Sequence, residues 1–222
     1  MHLLSRTRRA LAPIAAVGVL GLLLAGCGAS AESDAASPAP IVSSAPAEDP
    51  YAPVPVPGRT IAPTSPSDAS AVHGWRLAVV VPDDSQATET LRAAVSEFAD
   101  DNGVDVTEFV ADDGGIDAAF ADALAADADA VVGLGEGTSD VFAFEASQWL
   151  DRQFLIIGAQ VAEPTGNVTA VIWDGATSRG SGAPADGEID DASAPAHASD
   201  AIASGLSSVA EGTTGVVVHL GE

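Results

Sequence analysis

Leu77-Ala-Val-Val-Val81 is the stretch on which the fold turns, together with its continuation through Pro82-Asp-Asp-Ser-Gln86 to Leu91, Ala94, Val95, Phe98 and Ala99. An unbroken apolar run has no polar face. It therefore reads as a strand covered on both sides. Pro82 ends it, because proline brings no N–H to a ladder and fixes its own φ. The apolar residues after the loop recur at i, i+3, i+4, i+7 and i+8, one stripe of an α-helix. Asp84 or Ser85 supplies a capping oxygen at its start, and Asn102-Gly103 a stop at its end. Buried strand, tight loop, amphipathic helix is the building unit of a parallel sheet.

The unit recurs downstream. Val104 to Val110 begins by alternating with polar residues, which suits a less buried strand near an edge. Ile116, Phe120 and Leu124 are spaced for one helix face. Ala130-Val-Val-Gly-Leu134 is a second buried run. Phe142, Ala146, Trp149 and Leu150 are expected on one face of a third helix. Phe154-Leu-Ile-Ile157 and Val168 to Trp173 read as two more strands. Only Val161 to Gly166 separates them, too little for a helix. The fifth strand is then either parallel through an extended crossover or antiparallel. Ile202, Leu206 and Val209 mark a closing helix, and Val216-Val-Val-His-Leu220 a run apolar enough to join the sheet. The expected fold is α/β, a doubly wound, mostly parallel sheet.

The N-terminus has a different character. Met1 to Arg9 holds Arg6, Arg8 and Arg9, an apolar run extends from Ala10 to Leu24, and Leu24-Ala-Gly-Cys27 comes next. This order resembles a bacterial lipoprotein signal with its lipobox. The resemblance implies a signal peptide over residues 1–26 and lipidation of Cys27, the only cysteine in the chain. Several acyl chains, palmitate among them, would hold the protein stably on a membrane, where one chain is marginal. The expected location is the outer face of a bacterial cell membrane.

Residues 27–72 are rich in Ala, Pro and Ser. Pro38, Pro40, Pro46, Pro50, Pro53, Pro55, Pro57, Pro63 and Pro66 interrupt any helical or strand period. This segment is expected to be a tether, with the α/β lobe over residues 73–222. A second low-complexity stretch, residues 175–199, carries Asp186, Glu188, Asp190 and Asp191 and reads as a solvated loop. It lacks the spacing of a calcium-binding loop.

Charge and motif content exclude several functions. The net charge is -24, all eight basic residues are arginine, and Asp and Glu number 32. Such a chain repels phosphate backbones, so nucleic acid is not an expected partner. One cysteine permits no internal disulfide framework. Neither a GxSxG elbow nor an HExxH zinc motif is present, and His2, His73, His197 and His219 lie too far apart for a local metal motif. The chain is expected to be no enzyme and to need no metal or cofactor. Asn167-Val-Thr169 matches the glycosylation pattern.

In open parallel sheets, ligands bind beyond the carboxyl ends of the strands. The candidate ligand residues there are Asp83, Asp84, Ser85, Glu136, Gln160 and Trp173. Gly133-Leu-Gly-Glu-Gly137 sits where a phosphate loop would, but Asp140 lies just beyond it and the rim is acidic. A tight turn that lets a helix pack closely is the expected role.

The segments Asp129-Ala-Val-Val-Gly-Leu-Gly135 to Ala146, Phe154-Leu-Ile-Ile-Gly158 and Asn167-Val-Thr-Ala-Val-Ile-Trp173 resemble the first lobe of the basic membrane protein (BMP) family. Gly212-Thr-Thr-Gly-Val-Val-Val218 is similar to that family's C-terminal region. These are lipid-anchored substrate-binding proteins of ABC transporters, similar to purine-nucleoside receptors. The resemblance implies a type I periplasmic-binding lobe, here a single one, a possible weak small-molecule ligand, and an ABC permease or another envelope protein as partner. Pro82-Asp-Asp-Ser-Gln86 departs from the family's nucleoside-holding stretch, lacking its aromatic and its Asn. The implied function is a receptor-like binding or accessory module. Alternatives are a nucleoside-type solute-binding protein of an importer and an envelope structural lipoprotein.

Overall fold

A computed structural model describes residues 56–63, 69–112, 115–176 and 192–221. The expected signal peptide, Cys27, most of the tether and the acidic residues 186–191 lie outside the described residues. The elements are β1 (Arg59–Ile61), β2 (Arg76–Val81), α1 (Gln86–Asn102), β3 (Asp105–Val110), α2 (Gly115–Ala125) and β4 (Ala130–Leu134). Beyond them come α3 (Ser139–Glu145), β5 (Phe154–Ile157), β6 (Val168–Ile172), α4 (Ala194–Ala210) and β7 (Val216–His219).

The strands form one sheet in the order β1-β7-β6-β5-β4-β2-β3, with every pair parallel. Strand side chains alternate between faces, so each buried strand feeds two apolar layers. Leu77, Val79 and Val81 of β2 pack with α1 and α4, while Ala78 and Val80 pack with α2 and α3. Phe120, Phe142 and Phe154 form an aromatic trio in the second layer, with ring centroids 5.1 to 5.9 Å apart. Covering both faces is what allows continuous apolar strands, and the α/β, doubly wound expectation holds.

Local chemistry sets the element ends. Ser85 Oγ accepts a hydrogen bond from the Thr88 N–H and caps α1, and Gly103 closes the helix at φ 65°, its N–H donating to the Ala99 carbonyl. The strand with the weaker apolar pattern, β3, lies at the sheet edge, where none of its residues is fully buried. Arg92 on α1 reaches it through a bidentate pair with Glu108, Nε to Oε1 at 2.7 Å. The undecided strand, β6, is parallel to β5. Residues 158–167 make that crossover without a helix, burying Ala159 and Val161 in the α2/α3 layer.

Three expectations are corrected. The stalk was expected to run to residue 72, yet β1 lies inside it and pairs with β7, and Val72 is buried beside α1 and α4. Pro57 and Pro63 flank β1, and proline's missing N–H matters least on an edge strand. The expected loop over 175–199 yields to α4 from Ala194, which takes Pro195 in its first turn, where no N–H is needed. Ala176 at the other end of that loop is buried. The third helix does not carry Trp149 and Leu150 on its buried face. It tightens to a 3-10 turn over Ala146–Gln148, and the two residues are 43% and 65% exposed.

The reason for that tightening is Asn167. Its Nδ2 donates to the carbonyls of Ala146, Trp149 and Arg152 at 3.2, 3.0 and 3.0 Å. Thr165 Oγ1 donates to Asn167 Oδ1 at 2.6 Å. One buried amide thus gathers the carbonyls of this turn, of which those of Ala146 and Trp149 also accept the backbone N–H groups of Trp149 and Arg152. Its nitrogen is engaged in the fold, so the glycosylation pattern there is occluded.

Candidate functional site

The strand order reverses between β2 and β4. The chain runs outward from β2 to β3, then returns to build β4, β5, β6 and β7 on the other side. In open parallel sheets ligands bind beside the carboxyl ends of the strands at such a point. The two loops bordering it are Pro82–Ser85 and Gly135–Thr138. They approach closely: a Cβ on Gly137 would lie 2.6 Å from Pro82 Cβ and 3.6 Å from Asp83 Oδ2. Only glycine lets the β4 loop close against the β2 loop there.

Asp83 and Ser85 form a tight local unit. Ser85 N–H donates to Asp83 Oδ1 at 3.0 Å, and Ser85 Oγ donates to Thr88 Oγ1 at 3.0 Å. Partial burial pushes the Asp83 carboxyl upward. The hydrogen-bonding groups of Thr88 and Ser85, the Ser85 N–H among them, outweigh it and hold the group below the ordinary carboxylate value. Asp83 is therefore a firmly ionised, oriented acceptor. Asp84 beside it is exposed.

The β4 loop is held from within. Thr138 Oγ1 donates to the Gly135 carbonyl at 2.9 Å and Ser139 Oγ to the Glu136 carbonyl at 2.8 Å. Upstream, a Cβ on Gly133 would meet Thr138 Oγ1 at 2.6 Å and Phe142 Cζ at 2.8 Å. Gly133 thus serves close packing of α3 on the sheet, as the tight-turn reading expects. Glu136 is half-buried on this loop, and Gln160 is half-buried beyond the end of β5, the next strand along.

Five of the six expected rim residues, Asp83, Asp84, Ser85, Glu136 and Gln160, stand at the carboxyl ends of three adjacent strands, β2, β4 and β5. Trp173 does not join them. It is 1% exposed, its Nε1–H donates to Ser193 Oγ at 3.0 Å, and its ring stacks on His197 at 5.5 Å. It pins the start of α4 to the end of β6 and is closed to a ligand. Sequence parity carries the signal: Trp173 continues the side of Val171, which faces α4. Beside it, His219 Nε2 lies 3.2 Å from Asp174 Oδ1. Sequence reasoning missed this pair, because only the β6–β7 register, with Ile172 opposite His219, brings the two together.

The rim loops carry carboxylates, a hydroxyl and an amide, and no basic residue. Such a surface accepts hydrogen bonds and favours a donor-rich or cationic ligand over an anion. Among the described residues no group of three or more His, Cys, Asp or Glu could hold a metal ion. No helix among them is long and apolar enough to cross a membrane.

No protein-family model and no curated protein sequence matches the chain. Among solved structures, the chain is similar to an ABC transporter system solute-binding protein from Aeropyrum pernix K1, with 17% identity and a TM-score of 0.40, over 46% of this chain and 29% of that one. It is also similar to a transcriptional activator of the comK gene from Bacillus halodurans, with 14% identity and a TM-score of 0.38, over 46% of this chain and 35% of the other. The matched part thus spans about a third of either protein's length.

Proposed function

We propose that this chain is a membrane-anchored, receptor-like lipoprotein whose α/β lobe is a binding or accessory module. The observation that carries the reading is the meeting of the β2 and β4 loops at the reversal of strand order, with Asp83 oriented as an acceptor. Asp83, Asp84, Ser85, Glu136 and Gln160 are its ligand rim. The ligand class that suits them is a small molecule with several N–H or O–H donors, neutral or cationic. The lobe forms one wall of a crevice, and a wall alone buries little of a small ligand, so affinity is weak. No step of this reading is catalytic, and no cofactor or metal takes part. The lipobox-like Leu24–Cys27 supports an acyl anchor at Cys27, and the acidity of the chain holds the lobe off an anionic surface.

The runner-up is a nucleoside-type solute-binding protein of an ABC importer. The resemblance of the β4, β5 and β6 segments to the BMP family supports it, and a nucleoside is donor-rich. It needs a second wall from another copy or another chain. Amide chemical-shift mapping with adenosine, glucose and lysine separates the outcomes. Movement confined to residues 83–85, 135–138 and 158–160 supports the rim. Movement elsewhere, or none with any of the three, rejects it.

A further inference from the structure

On the opposite layer from α1 and α4 lies a surface that the rim does not use. Helices α2 and α3 diverge around a cleft of about 340 Å³ lined by Phe120, Leu124, Val141 and Trp149, with Asp117 and Glu145 as its only charged lining residues. Phe144, on the same helix as Glu145, is 72% exposed, and Leu150 follows Trp149 into solvent. Phe144, Trp149 and Leu150 thus crowd exposed apolar surface into one seven-residue stretch of an otherwise acidic protein. Isolated exposed apolar residues need no explanation, but three within seven positions, with Trp149 lining an open apolar cleft, mark an interaction surface. The Asn167 amide holds the turn that presents Trp149 in this position, so the exposure is built into the fold.

Charge decides between occupants. The cleft is edged by two acids. A second copy of the chain carries the same net charge of -24, and self-association on this face is opposed. Residues 28–55 of the chain itself bear only acidic charges, Glu32, Asp34, Glu48 and Asp49, and are repelled in the same way. An apolar segment with basic flanks is attracted at its ends and buried at its centre. A cleft between two helices takes a third helix ridge, and α2, at about 1.5 Å per residue, offers length for roughly three turns. We infer that the α2–α3 cleft docks an amphipathic helix with basic flanks from a partner protein, with Trp149 and Phe144 as the apolar anchors and Asp117 and Glu145 as the charge clamps. This surface is independent of the ligand rim.

The test is calorimetric titration of the full chain with a synthetic helix of leucine and lysine, about three to four turns long. The same helix with glutamate for lysine is the control. The lysine helix should bind with one-to-one stoichiometry and the glutamate helix should not. Phe144→Ser with Trp149→Ser should weaken binding by about tenfold or more, and both sites are exposed enough to leave folding intact. Asp117→Asn with Glu145→Gln should weaken it by several-fold and flatten its salt dependence. Asp100→Asn with Asp101→Asn, on α1, should change nothing. Equal binding by all variants means generic attraction to an acidic protein and overturns the proposal. So does a dimer in sedimentation that Phe144→Ser dissociates, since a second copy then occupies the cleft. Affinity for the lysine helix that appears only after residues 28–55 are deleted makes the tether the occupant and overturns it too. Binding of neutral lipid vesicles through Trp149, with no peptide binding, assigns the face to a membrane instead.

Discussion

Asn167 shows what one side chain decides. A lone asparagine before an apolar strand carries no helix or strand signal of its own. In the fold it is 5% exposed and gathers three carbonyls from the turn after α3. Without it the Arg152 carbonyl loses its amide donor, while those of Ala146 and Trp149 keep backbone N–H groups. Asn167→Ala is expected to cost about 1–2 kcal/mol, seen as a lower urea midpoint with an unchanged slope. A loss below about 0.5 kcal/mol would mean that water or neighbouring N–H groups replace the amide. Trp173 marks the opposite limit of sequence reading. Its place at a strand end points to the rim, while its parity with Val171 points inward, and parity prevails because α4 covers that side. A strand-end position is a weak signal of exposure when the next helix begins with a serine able to take the indole N–H.

At the scale of elements, β2, β4, β5 and β7 were legible because each is an unbroken apolar run with room for no other structure. Helix α1 was legible to its caps. The elements that escaped are the ones whose stability is borrowed. β1 is three residues between prolines and exists only as a partner to β7, more than 150 positions downstream. The last turn of α3 is set by Asn167, again from elsewhere in the chain. Electrostatics ties α1 to its surroundings and predicts a pH limb. The Arg92 guanidinium holds the Glu108 carboxyl below its ordinary value of 4.5, and the hydrogen-bonding groups of Thr88 and Ser85 outweigh burial to hold Asp83 below 3.8. A carboxyl whose folded value is depressed stabilises the fold above its ordinary value, and that stability is lost as pH falls through the lowered one. Urea midpoints should therefore decline as pH drops below about 4.5, and the gap between the natural chain and Glu108→Gln should close over the same range. A gap that persists unchanged once the Glu108 carboxyl is protonated in the folded chain would show that Glu108 contributes by packing. Ser85→Ala, which removes the cap of α1, should cost about 1 kcal/mol at neutral pH in the same assay.

The whole molecule joins a sheet with one point of reversal to an N-terminal segment that reads as an anchor and stalk. Apolar runs alternating with helical stripes made the α/β class legible, and composition the acidic character. It could not order the strands, since every buried run is equally apolar and nothing local says which neighbours pair. That order matters most for function, because it places the loops after β2 and β4 together. The rim was partly legible for that reason: its residues follow from strand ends, and their grouping follows only from topology. The proposed anchor at Cys27 carries its own prediction. Cys27→Ala should abolish incorporation of a palmitate analogue and release the chain from the membrane fraction. Retention with full labelling would remove the lipoprotein reading.

The central claim is that the crevice between β2 and β4 binds a donor-rich ligand. Thermal unfolding of the full chain against nucleosides, sugars, amino acids and calcium tests it most directly, with Asp83→Asn and Gln160→Ala run in parallel. A ligand at about 100 times its Kd adds about 2.7 kcal/mol, a rise of several degrees in Tm for a domain of this size. The account predicts such a rise for at least one organic donor-rich class, and its loss in both variants. A melt that no class moves, or a rise that survives in Asp83→Asn and Gln160→Ala alike, would contradict it.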